Sequence, residues 1–274
     1  FGLFAALPSG GELVELPAEE ISRASVQVIH NSADLAAETV DVYLNDQILL
    51  DDFAFRTSSP FVDVTAGTSF DITVQPSGST DTTSALFRKG FMLEPDKHYT
   101  LIANGIVSGS GYDPMQPFDI YAYDMARMEA GTAGNTDVMV FHGSTDAPTV
   151  DVGEPHAALK LVDDLSYGSF TDSYLELTPA DYSLQVQNKY GSKAVAQFGA
   201  PLETLGLEDS AMTVVASGFL NPGNNSDGPA FGLFAALPTG GELVELPAEE
   251  ISTASVQVIH NSADLAAETV DVYL

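Results

Sequence analysis

Cysteine and tryptophan are absent from this 274-residue chain, and bases are scarce: nine Lys and Arg stand against 39 Asp and Glu. Without cysteine there is neither a disulfide framework nor a thiolate metal site, so the fold must stand on packing alone. Without tryptophan the usual stacking platform for a sugar ring is missing. The formal net charge of −30 repels polyanions, which makes nucleic acid and anionic membranes poor partners. No apolar run approaches the roughly 20 residues of a membrane helix, so no membrane insertion is expected of this segment. The opening stretch, residues 1–8, has neither Met nor a basic region and does not read as a signal peptide.

What is present is a hydrophobic content of 45%, enough for a folded chain. The length has room for about two domains of ordinary size. The acidic excess has two readings, a solvated surface suited to salt water or carboxylate clusters that coordinate a divalent cation.

The strongest signal is repetition. Residues 1–44 return as residues 231–274, differing only where Ser9 becomes Thr239 and Arg23 becomes Thr253, a period of 230 residues. Cores tolerate many substitutions, so identity this close indicates recent duplication of a long segment rather than the needs of a fold. A weaker repeat lies inside the first. SVQVIHNSAD from Ser25 is echoed by DVMVFHGSTD from Asp137, and TVDVYL from Thr39 by TVDVGE from Thr149. Further pairs begin at Leu50 and Val162, Phe61 and Tyr174, and Tyr99 and Met212. These matches divide the chain into 1–23, the last strand of a preceding domain plus a linker; 24–128, domain A; 136–246, domain B; and 254–274, the first strands of a further A-type domain. Breaker-rich stretches at 128–135 and 238–250 read as short linkers.

Alternation dominates: Val26, Val28 and His30 share one strand face, Phe70, Ile72 and Val74 another. Turn clusters separate the strands, and no stretch longer than about ten residues holds a 3.6 period. About seven short strands in each half predict an all-β chain of tandem immunoglobulin-like antiparallel β-sandwich domains joined by short linkers.

In a fixed order the chain carries VxVIHxSxD from Val26, TVDVYL from Thr39, VTAGT from Val64 and YTLIANG from Tyr99. In this it resembles the bacterial and archaeal domain family DUF4397, and B carries the same pattern. The resemblance implies a secreted or surface β-sandwich, commonly in tandem, with no established activity. B departs where residues 153–155 replace Tyr43, Leu44 and Asn45, and where residues 178–181 replace the turn at 65–69.

His30 with Asp34 and Asp41, and His142 with Asp146 and Asp151, suggest at first an acid/base or metal pair. Each histidine, however, ends a core-facing row of valines, where a neutral imidazole holds a turn, so these six residues read as structural. The HxSxD string lacks the convergence of a Ser/His/Asp triad, and the chain is not expected to be an enzyme. Candidate calcium ligands are Asp51 and Asp52, Asp163 and Asp164, and Asp227 in an oxygen-rich loop; none follows the EF-hand spacing, and Ca2+ is the one candidate cofactor. Asn224 begins the single Asn-x-Ser sequon and is a candidate glycosylation acceptor.

The functional expectation is a structural repeat of an extracellular or cell-surface filament, stalk or giant adhesin, its domains stacked head to tail with neighbouring copies of the same repeat as partners. Assembly could be a covalent array or strand exchange between chains. The alternative is a multivalent module binding surface glycans or polymers through Tyr112, Tyr121, Tyr123, Tyr167 and Tyr190, with repetition supplying avidity.

Overall fold

A computed structural model describes residues 3–6, 8, 10–16, 21–155, 159–190, 193–251, 258–264, 266 and 269–271. An N-terminal hairpin pairs β1 (Leu3–Ala5) with β2 (Val14–Leu16). Domain A follows as β3 (Arg23–His30), β4 (Thr39–Leu44), β5 (Gln47–Ala54), β6 (Thr57–Ser58), β7 (Val62–Thr65), β8 (Ser69–Pro76), β9 (Phe87–Met92), β10 (His98–Asn104) and β11 (Asp119–Tyr123). One sheet runs β11-β10-β3, with β7 and β6 sharing the free edge of β3; the other runs β5-β4-β8-β9. Alternation decides what lies between them: Ala24, Val26 and Val28 of β3 meet Val40 and Val42 of β4 and Phe70, Ile72 and Val74 of β8 in one core.

Domain B repeats this plan with β12 (Thr136–His142), β13 (Val150–Glu154), β14 (Leu159–Leu165), β15 (Leu175–Leu177), β16 (Asp181–Asn188), β17 (Ala194–Pro201), β18 (Ala211–Ser217) and β19 (Gly232–Ala236). Its sheets contain the orders β15-β12-β18-β19 and β14-β13-β16-β17, which match β7-β3-β10-β11 and β5-β4-β8-β9 of A; β6 has no counterpart strand among the described residues of B. Where B departs in sequence the strands survive, since β13 continues to Glu154 and β16 begins at Asp181. Among the described residues, strand pairings are antiparallel except β3 with β10 and β12 with β18. The intervening strands of each sandwich supply the long crossover that a parallel pair requires.

A and B do not meet end to end, and in this pair the expected head-to-tail stacking is corrected. They pack sheet against sheet. Ile29 of β3 and Ile102 of β10 point away from A's own core and bury against Phe141 of β12, Val215 of β18 and Phe234 of β19. A second cluster joins Tyr123 and Ala126 of A to Met139, Tyr174 and Ala211 of B. The reason is two-sided hydrophobicity: β12 sends Val138 and Val140 inward and Met139 and Phe141 outward, so its sheet must be covered on both faces. Each fully buried seam side chain contributes about 1.5–3 kcal/mol.

The stretch expected to be a linker over 238–250 contains paired strands. Three two-residue strands, β20 (Gly241–Glu242), β21 (Val244–Glu245) and β22 (Ala248–Glu249), add in turn to β6 of A, β19 of B and β17 of B. Leu243 and Leu246 anchor this strap in the A–B seam and in B's core. The hairpin β1–β2 has the same register as β19–β21: Phe4 faces Glu15 as Phe234 faces Glu245, and Ala5 faces Val14 as Ala235 faces Val244. Of the strands expected over 254–274, residues 254–257, 265, 267, 268 and 272–274 lie outside the described residues, and no strand occurs among the described ones.

Candidate functional site

The HxSxD string is a turn staple, built the same way in both domains. His30 is fully buried; its Nε2 lies 2.7 Å from the Ala37 carbonyl, and its Nδ1 accepts from the Ser32 N–H at 3.4 Å. Burial pushes its pKa down to about 4 against the Ala37 contact, so the imidazole is neutral at pH 7, donating from Nε2 and accepting at Nδ1. Ser32 donates to the Gly105 carbonyl at 2.6 Å. Asp34 accepts from the Val107 and Ser108 N–H groups at 2.8 and 2.7 Å, from Ser108 Oγ and Tyr112 Oη, and from the Ala36 N–H. Burial pulls the Asp34 carboxyl upward, but these hydrogen bonds outweigh it and hold the pKa below the usual range.

In B, His142 Nε2 lies 2.9 Å from the Pro148 carbonyl, Ser144 donates to the Gly218 carbonyl at 2.7 Å, and Asp146 accepts from the Leu220 and Asn221 N–H groups, both at 2.8 Å. Burial lowers the His142 pKa also. A Cβ on Gly105 or Gly218 would sit 2.4 or 2.3 Å from a backbone carbonyl oxygen, that of Pro117 or Ala230, and both glycines have positive φ. The three side chains of each string therefore serve backbone groups at a strand exit.

The candidate calcium ligands form two clusters, not three. Asp41, Asp51 and Asp52 each bring a carboxylate oxygen within 4.8 Å of the others, as do Asp151, Asp163 and Asp164. Asp52 and Asp164 occupy matched left-handed positions with φ of 49° and 48°. Their N–H groups donate to Asp41 at 3.0 Å and to Asp151 at 2.8 Å. Asp41 also accepts from the Ser79 N–H and Oγ, bonds that outweigh burial and lower its pKa. Asp151 lies below the usual range too, through the Asp164 N–H and Lys160 working against burial. Asp227, also at positive φ, joins neither cluster among the described residues. Asn224 is exposed at the end of a 3-10 turn, Pro222–Asn224.

The A–B seam was not expected from sequence. Arg56 lies 3.8 Å over the Phe234 ring and donates to Ser217 Oγ at 3.1 Å and to the Ala230 carbonyl at 2.8 Å. Burial lowers its pKa to about 10 despite Glu245, which leaves it charged at pH 7. Asn31 donates to Asn104 Oδ1 at 2.8 Å and to the Ala216 carbonyl at 3.2 Å. The residue matching Asn31 in B is Gly143, where a Cβ would meet Asn31 Nδ2 at 2.1 Å and the Ala216 oxygen at 2.7 Å. Arg127 closes the other side, paired with Asp137 and, at 2.9 Å, with Glu176. Two of the chain's nine Lys and Arg lie here.

No curated protein matches this chain. One similar solved structure, described as alpha-glucan binding by a streptococcal virulence factor, is 10% identical, with 70% of this chain and 92% of that one covered at a TM-score of 0.22. Residues 24–153, all of domain A and the start of B, match the family model described as "Domain of unknown function (DUF4397)".

Proposed function

We propose that the chain is a structural repeat unit of an extracellular or cell-surface filament, stalk or giant adhesin, with two diverged DUF4397-type domains in each 230-residue period. The observation that carries this reading is the hairpin that occurs twice. In β19–β21, Phe234 and Leu243 are 5% and 7% exposed, whereas their duplicates Phe4 and Leu13 are 52% and 60% exposed. The first pair is covered because a B sandwich and Arg56 of A surround it. The second pair has the same register, and on this reading a B sandwich of another copy would give it the same cover. On this proposal neighbouring copies are the partners, and each step along the array is one face-to-face A–B block.

The chain is read as non-catalytic, since His30, Ser32 and Asp34 and their counterparts in B are engaged with backbone groups. The multivalent-binding alternative requires exposed aromatic platforms. Tyr112 is buried on Asp34, and Tyr121, Tyr123 and Tyr167 pack in the seam, which leaves Tyr190 exposed. Electron microscopy of the native material tests the proposal. Filaments whose axial repeat is one A–B block per period are expected; dispersed particles retained on a glycan array would favour the alternative.

A further inference from the structure

The outer face of A's β5-β4-β8-β9 sheet carries a row of polar groups. Asp51 and Asp52 stand at the bulge of β5, Asp41 on β4 and Gln75 on β8, directly opposite Asp41 in register. Residues so paired project from the same face with Cβ atoms about 5 Å apart. Gln75 is completely buried, and neither its amide oxygen nor its amide nitrogen has a hydrogen-bond partner; the buried Thr73 hydroxyl, one step along β8, has none either. A buried amide without partners costs several kcal/mol and is rare in native proteins.

Domain B shows what the row lacks. There Asp151, Asp163 and Asp164 take the same positions and Gln187 stands opposite Asp151, donating to Gln185 at 2.7 Å. Into that cluster Lys160 inserts its ammonium, 2.8 Å from Asp151 Oδ2 and in contact with Asp163. Lys160 faces Gly153 on β13; the residue at that register in A is Ile48, facing Tyr43, which is apolar and half exposed. B brings its own cation to two of its three carboxylates, and among the described residues A brings none.

We propose that domain A binds one calcium ion between the carboxylates of Asp41, Asp51 and Asp52 and the amide oxygen of Gln75, and that the Lys160 ammonium takes the equivalent place in B. Two oxygens each about 2.4 Å from one calcium lie at most about 4.8 Å apart, and the three carboxylates meet that limit. Calcium's tolerance of irregular oxygen geometry suits a site drawn from three strands better than magnesium's demand for an octahedron.

The test is calorimetric titration of the chelator-treated full chain with Ca2+ at fixed ionic strength, with melting curves in calcium and in chelator. One saturating site per chain and a higher melting temperature in calcium are expected. Asp51→Asn should weaken binding at least tenfold. Ile48→Lys should abolish binding while melting in chelator as the parent does in calcium, and Lys160→Met should add a second site. Absence of saturable binding, a shift reproduced by matched NaCl, or unchanged stoichiometry in the two lysine variants would overturn the proposal. If one lysine variant does not fold, the other decides alone.

Discussion

His30 is neutral because it is sealed in A's core, and that has a measurable cost in acid. Its folded pKa of about 4 lies below the ordinary 6.5, so between those values the unfolded chain binds a proton that the native chain does not. Stability therefore falls as pH drops from 6.5 towards 4, by on the order of 3 kcal/mol for this one group. Urea melts at pH 7.5 and 4.5 should show that loss in the parent and a flatter response in His30→Gln. Asp34, Asp41 and Asp151 act lower down: their depressed pKa values give stability present above the unfolded value of 3.8 and lost as pH falls through the folded one. At neutral pH, His30→Ala strands the Ala37 carbonyl and opens a cavity beside Phe53, so a loss of about 2–4 kcal/mol is expected in thermal melts. An unchanged melting curve would remove the structural role.

Among the elements, the strap of β20, β21 and β22 is the one whose sequence hides its role. Gly240, at φ +70°, lies so close to A that a Cβ would meet the Pro60 nitrogen at 2.3 Å. Gly240→Val should detach the strap, with faster hydrogen exchange at Leu243, whose N–H donates to the Arg56 carbonyl at 2.9 Å, and unchanged protection in β13 and β16. Retained protection at Leu243 would contradict the contact. Strands such as β3 and β8 were legible because six or more residues alternate strictly, and the equivalence of A and B because those strands recur in order. The strap was not, since two-residue strands carry no period and its Pro and Gly residues read as breakers. The seam escaped for a related reason. Ile29, Met139 and Phe141 sit on the faces that a lone sandwich would give to solvent, and alternation alone does not say that a second sheet lies beyond. Of the acidic clusters, the paired aspartates of β5 and β14 were visible in sequence, whereas Asp41 as their neighbour, Gln75 and Lys160 required the cross-strand register.

The whole molecule is governed by that seam. Two sandwiches joined by a short connector could unfold independently, yet Ile29, Ile102, Phe141 and Val215 are fully buried only while A and B stay together. Separation would expose both central sheets on a second face, so the pair should unfold in one calorimetric transition. Arg56→Ala removes the stacking on Phe234 and the bonds to Ser217 and Ala230, and should weaken the coupling by about 2–4 kcal/mol. Gly143→Val goes further, because its side chain needs the space held by Asn31 and the Ala216 carbonyl. Scanning calorimetry of the double variant should resolve two transitions, one for each sandwich, while far-ultraviolet dichroism at low temperature keeps the parent's β signal. A single transition at the parent's temperature in the double variant would mean that the seam is contact without coupling. The A–B block would then lose its claim to be the rigid unit from which an array is built.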